Sequence, residues 1–224
     1  MLIIFDLDGT LIDSSRDLAI SMNATREHFG MTPLDPALIF SYVGNGAAVL
    51  VRRALGPDAP DKLVEQALKF FLGFYRAHAL EHTRLYPGIR DVIEELAESG
   101  HKLSVLTNKP ARISFDIIRA LDLERYFIQV YGGDSFPTKK PEPAGVNALL
   151  KDADVPIDQT LLVGDSGVDV QTARNAGVRS CGVTWGFQPE AFQLDPPDIL
   201  ISQPQELLNV VNRHLNSITS VPAY

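Results

Sequence analysis

Four apolar residues run straight into two aspartates at the start of the chain, Leu2-Ile3-Ile4-Phe5-Asp6-Leu7-Asp8-Gly9-Thr10. No other stretch restricts the fold as much. In a strand, residues i and i+2 point to the same side, so Asp6 and Asp8 can face one small volume if the extended geometry persists through them. Two carboxylates held together repel, and burial sharpens the repulsion. A chain tolerates that when a cation lies between them, or when one of them keeps its proton. Gly9 then permits a tight turn. An apolar strand ending in acids and glycine suits the rim of a parallel sheet, where α/β proteins place their sites.

From about residue 86 the sequence alternates strand and helix. Pro87-Gly88 opens a helix with Ile89, Val92, Ile93, Leu96 and Ala97 at amphipathic spacing, and Gly100 closes it. Strands are expected at 103–107, 127–131, 160–164, 180–184 and 198–201. Helices are expected around Ile113 to Leu121, at 144–151 and 168–176, and at 205–215, with the tail from Asn216 frayed. This pattern predicts an α/β fold, a Rossmann-like parallel sheet covered by helices on both faces. The interval before Leu103 is too long for one crossover: a βαβ unit takes about 30 residues, and this interval is about three times that. Leu18/Met22/Phe29 and Leu63/Ala67/Phe70/Phe71/Phe74 carry helical periods inside it. We expect a catalytic core of residues 1–14 and 83–224 and an inserted helical cap domain at 15–82, placed over the rim as a lid.

Several function classes drop out on composition. The net charge is −8, which disfavours nucleic acid and anionic membranes as partners. No apolar stretch reaches membrane-spanning length, and no basic region precedes the first apolar run, so it does not read as a signal peptide. Cys181 is the one cysteine; this fits a reducing, cytoplasmic compartment. His78 and His82 lack the acidic partner of a zinc helix and read as a solvated face. A monomer or homodimer acting on a small molecule is expected.

Four segments end on chemically loaded residues: Asp6/Asp8, Thr107-Asn108-Lys109, Lys139-Lys140-Pro141, and Gly164-Asp165 through Asp169. Each has a bland reading by itself, as a turn, a helix cap or an exposed lysine. Together, near successive strand ends, they converge on one crevice. Oxygen-only ligands with few protein donors suit Mg²⁺, which keeps waters and binds substrate phosphate. Thr107, Asn108 and Lys140 are the candidate phosphate binders. Asp6 is placed to attack phosphorus, and Asp8 to protonate the leaving oxygen and later activate water.

These four segments resemble the motifs of the haloacid-dehalogenase-like hydrolases, along the whole chain. That resemblance implies Asp6 as nucleophile and Asp8 as acid/base. It implies Asp6, the backbone carbonyl of Asp8 and Asp165 as Mg²⁺ ligands, with Asp169 behind them or holding Lys140. An acid at position 8 implies an alkoxide leaving group, hence a phosphomonoester. Tyr42 to Ala47, Leu50 to Leu55, Tyr86-Pro87-Gly88, Gly132-Gly133-Asp134 and Lys139 to Pro143 are similar to the phosphoglycolate phosphatases of that superfamily, with Glu142 where those have histidine. The implied reaction is Mg²⁺-dependent hydrolysis of a small phosphorylated metabolite, 2-phosphoglycolate foremost, through an aspartyl-phosphate. A phosphosugar mutase would give an isomer in place of free phosphate, and a phospho-receiver module would hold its phosphoryl group without release. For substrate choice, Gly44-Asn45-Gly46 can present backbone N–H groups to an anion, and Arg52 or Arg53 can meet a carboxylate.

Overall fold

The computed structural model describes residues 1–219, with side chains to residue 213. Strand β1 (Leu2–Phe5) leads through a short β2 (Ile12–Asp13) into four helices, α1 (Ser15–His28), α2 (Pro36–Phe40), α3 (Ala47–Leu55) and α4 (Asp61–His78). β3 (Arg84–Leu85) then returns antiparallel beside β2. The remainder runs α5 (Ile89–Glu98), β4 (Lys102–Leu106), α6 (Ala111–Ala120), β5 (Phe127–Tyr131), α7 (Ala144–Ala153), β6 (Thr160–Gly164), α8 (Gly167–Ala176), β7 (Arg179–Val183), β8 (Ile199–Ile201) and α9 (Glu206–Thr219).

The sheet is parallel throughout, in the order β5-β4-β1-β6-β7-β8. β1 is apolar on both faces because both faces are covered. Ile3 and Phe5 enter one core with Val92 and Ile93 of α5, while Leu2 and Ile4 enter another with Val146 and Leu149 of α7 and Ala173 of α8. β1 separates β4 from β6, so the chain order reverses at it and a crevice opens at its carboxyl end. The register fixes what meets there. Phe5 lies beside Val105 on one side and Val163 on the other, so Asp6, Thr107 and Asp165 leave their strands within one rung of each other.

Between β2 and β3 the described chain is helical. α1 packs on α2 and α4, and α3 packs on α4. A buried carboxylate ties the ends of this segment together. Asp17, in the first turn of α1, accepts the backbone N–H groups of His82 and Thr83, the Thr83 hydroxyl and His82 Nδ1, all at 2.8–3.0 Å. Burial would push the Asp17 carboxyl up, and these hydrogen bonds override it and bring it below the usual range. His82 is therefore half-buried at the root of the segment, not on a solvated helix face with His78. The two-residue ribbon β2–β3 is too short to show a period in sequence. α9 continues past Asn216 to Thr219, where fraying was expected; residues 220–224 lie outside the described residues.

Candidate active site

Asp6 follows β1 directly, and its N–H still donates to Val163 O at 2.9 Å, so the ladder holds its backbone. Its carboxylate accepts Lys140 Nζ at 2.7 Å, and the same ammonium reaches Asp169 Oδ1 at 2.6 Å. Asp169 sits at the third position of α8, where it closes a capping box with Ser166; its second oxygen takes the Ser166 hydroxyl at 2.6 Å. Asp165, between β6 and α8, accepts the Phe187 N–H at 2.6 Å. Thus the segment that reads in sequence as a turn and cap is a turn and cap, and it also delivers two carboxylates to the crevice.

One oxygen each from Asp6, Asp165 and Asp169 lie within 4.8 Å of one another, and all three residues are buried. Burial pushes the Asp6 carboxyl up to about 6 despite Lys140, and the Asp169 and Asp8 charges add to the rise. Asp165 is raised well above its usual range by burial and by the charges of Asp6 and Asp169. One ammonium does not balance three buried carboxylates. The donor set is all oxygen, so it fits a hard divalent cation such as Mg²⁺. The backbone leaves no slack here. A Cβ on Gly9, at φ +84°, would fall 2.2 Å from Asp165 Oδ2, and one on Gly186 would fall 2.2 Å from Asp165 Cβ and 2.4 Å from Gly9 O.

Asp8 belongs to a second group. Its carboxylate accepts the Ser14 hydroxyl and both oxygens accept Lys109 Nζ, at 2.7 and 3.0 Å. Lys109 also donates to the Tyr75 hydroxyl of α4 at 2.5 Å. The Asp8 side chain is not part of the three-carboxylate cluster. Thr107 Oγ1 accepts the Lys109 N–H at 3.2 Å, which leaves its O–H for another acceptor. Asn108 differs from expectation. Its Nδ2 is spent on Gly44 O at 2.9 Å and Lys140 O at 3.0 Å, and its buried Oδ1 has no partner, so its amide is a clip rather than a phosphate donor.

One cavity spans both groups. Asp6, Asp8, Thr107, Lys109 and Lys140 line its sheet side, while Leu18, Val43, Leu50, Phe71, Leu72 and Tyr75 face them from the helical segment. Gly44 and Gly46 line it as well. The loop between α2 and α3 turns consecutive carbonyls toward the sheet. Gln188 Nε2 donates to Val43 O at 2.7 Å, Asn108 to Gly44 O, and Lys139 Nζ to Asn45 O at 2.7 Å. Gly44-Asn45-Gly46 is thus held by its acceptors. Arg52 is not brought to the cavity: its guanidinium is tied to Ala59 O at 2.7 Å and to Asp61, because α3 turns that face outward. Phe187 stacks with Phe40 of α2 at 6.4 Å between ring centroids while its N–H reaches Asp165, so this residue links the helical segment to the carboxylate cluster. Sequence reading assigned no role to Tyr75, since its spacing from Phe71 is that of any core-facing helix residue, nor to Ser14 or Gln188.

The haloacid dehalogenase-like hydrolase family matches residues 3–183. A phosphoglycolate phosphatase of Vibrio vulnificus strain CMCP6 is 38% identical over 94% of this chain and 95% of that protein. One from Pseudomonas putida is 39% identical over 92% of this chain and 78% of that protein. Among solved structures, a predicted phosphoglycolate phosphatase from Haemophilus somnus 129PT superposes with a TM-score of 0.87 at 31% identity, covering 93% and 96% of the two chains. A haloacid dehalogenase-like family protein from Streptococcus pneumoniae does so with 0.83 at 26% identity, covering 93% and 97%.

Proposed function

The chain belongs to the haloacid dehalogenase-like hydrolase family, and from that premise we propose that it is a Mg²⁺-dependent phosphatase of small phosphomonoesters, 2-phosphoglycolate foremost. The observation that carries the reading is the separation of the acids into two sets: Asp6, Asp165 and Asp169 around Lys140, and Asp8 apart with its own hydrogen-bond partners. A nucleophile and a proton carrier need different environments, and these two have them.

Asp6 attacks phosphorus with one carboxylate oxygen, forming an O–P bond as the bond from phosphorus to the ester oxygen breaks. Lys140 neutralises charge at the attacking carboxylate and beside the phosphoryl oxygens, and the Thr107 hydroxyl donates to one of those oxygens. Asp8 gives its proton to the departing alkoxide, so the alcohol leaves neutral. Asp8, now a carboxylate, takes a proton from water, whose oxygen attacks the phosphoryl group on Asp6; phosphate leaves and Asp6 is restored. Asp6, Asp165 and the Asp8 carbonyl would hold the Mg²⁺, with Asp169 securing Lys140, and the ion would supply charge neutralisation for the phosphoryl group. The helical segment from residue 15 to 82 serves as a cap that excludes water; the enzyme works in the cytoplasm, as a monomer or homodimer.

Phosphate release across a panel of small phosphate esters tests this. Asp6→Asn is expected to abolish release with the fold intact, and EDTA to abolish it reversibly. Wild-type protein that releases no phosphate from any ester in the presence of Mg²⁺ overturns it.

A further inference from the structure

The sheet side of the cavity is built for the phosphoryl group, and the helical side reads the rest of the substrate. That side is almost wholly apolar: Leu18, Val43, Leu50, Phe71 and Leu72 face inward. One side-chain polar group stands among them, the hydroxyl of Tyr75. Tyr75 is 1% exposed. Its oxygen accepts Lys109 Nζ at 2.5 Å, and its O–H has no acceptor among the described residues. A buried donor without an acceptor is a cost that a folded protein rarely carries, and a hydroxyl whose oxygen is taken by an ammonium is a strengthened donor. Burial also keeps the phenol protonated, pushing it up to about 12. Lys109 joins this hydroxyl to Asp8, the residue that meets the leaving oxygen, so Tyr75 stands on the leaving-group side of the reaction.

We propose that the Tyr75 hydroxyl, backed by the Lys109 ammonium, is the specificity group for a carboxylate on the leaving group of the substrate. The proposal rests on the phosphomonoesterase reading for which end of the cavity holds phosphorus. It replaces Arg52, which is tied to Asp61 and Ala59 away from the cavity, as the cation-backed partner of a substrate carboxylate. A buried donor backed by an ammonium and set inside apolar walls discriminates strongly for a carboxylate, because an uncharged analogue leaves it unpaired.

The test uses two unreactive phosphonates, 3-phosphonopropionate and propylphosphonate, which differ in having a carboxylate or a methyl at the far end. Calorimetric titration with Mg²⁺ present gives both affinities without turnover. Wild-type protein is expected to prefer the carboxylate by about tenfold or more, and Tyr75→Phe, which keeps the ring in place, to bring that preference near unity. Equal wild-type affinities, an undiminished preference in Tyr75→Phe, or an equal loss for both ligands overturns the proposal. Failure of the phosphatase reading shows separately, as absence of phosphate release from any ester by the wild-type protein.

Discussion

Gly186 shows how little space a single residue leaves at this centre. Its missing Cβ lets the β7–β8 loop approach Asp165, and that loop returns the Phe187 N–H to the same carboxylate. Gly186→Ala must push Asp165 or the Gly9 carbonyl aside. We expect it to weaken Mg²⁺ activation about 10- to 100-fold, read as the Mg²⁺ concentration for half-maximal phosphate release, and to lower the melting temperature as well, because the displaced atoms include backbone. The carboxyl groups themselves set a pH dependence. Asp6 is pushed up to about 6 and Asp165 also rises, so the folded, cation-free protein binds more protons than the unfolded chain between the ordinary carboxylate range and pH 6. Stability then falls as pH rises through that window. In EDTA the melting temperature is expected to drop from pH 5 to pH 7, and Mg²⁺ to restore more at pH 7 than at pH 5; a melting temperature that climbs over that range refutes the charge balance. The convergence of Asp6, Asp8, Thr107, Lys140, Asp165 and Asp169 on one crevice was legible because strand ends concentrate polar residues against an apolar background. Tyr75 was not, because a helix residue that faces a cavity and one that faces a core share the same spacing.

At the level of elements, the helical segment is fastened at two places. Its root is Asp17, whose four donors come from residues 82 and 83, so α1 and the chain leading into β3 cannot separate without leaving buried groups unpaired. Asp17→Ala is expected to cost about 2–3 kcal/mol in urea unfolding. Because its carboxyl lies below the usual range in the folded protein, its contribution is present at neutral pH and is lost as pH falls through the acid range. The second fastening is the row of carbonyls at Val43, Gly44 and Asn45, taken by Gln188, Asn108 and Lys139. Gln188→Ala combined with Lys139→Met is expected to speed amide exchange across residues 43–50 while the sheet stays protected. The sheet strands and the helices from α5 to α8 were legible within a residue or two, since apolar runs and amphipathic periods mark them, while α9 runs four residues past the expected 215. α2 and the β2–β3 ribbon were not, being shorter than any period. Nor was the outward turn of Arg52, which depends on where α3 docks.

The whole molecule is organised by one parallel sheet with cores on both faces, and its cohesion has a reporter. Cys181 lies on β7 with 1% exposure, and burial together with the Glu206 charge pushes its thiol up to about 12. A native thiol of that kind is inert. Alkylation of Cys181 is expected to proceed at the rate of global unfolding and to slow when Mg²⁺ is added; labelling faster than unfolding would show that the β7 side of the sheet opens by itself. The strand order could not be read from the chain, because it is set by crossovers on both sides of β1, yet it is the order that brings residues 6, 107 and 165 together. The grip on positions 43–45 is made entirely through peptide oxygens, which every amino acid carries. Asn45 can therefore change its side chain without loosening that hold, whereas Gly44 and Gly46, both at positive φ, must stay bare, so a lineage exploring new metabolites there has one loop position to vary while the phosphoryl chemistry beneath is kept.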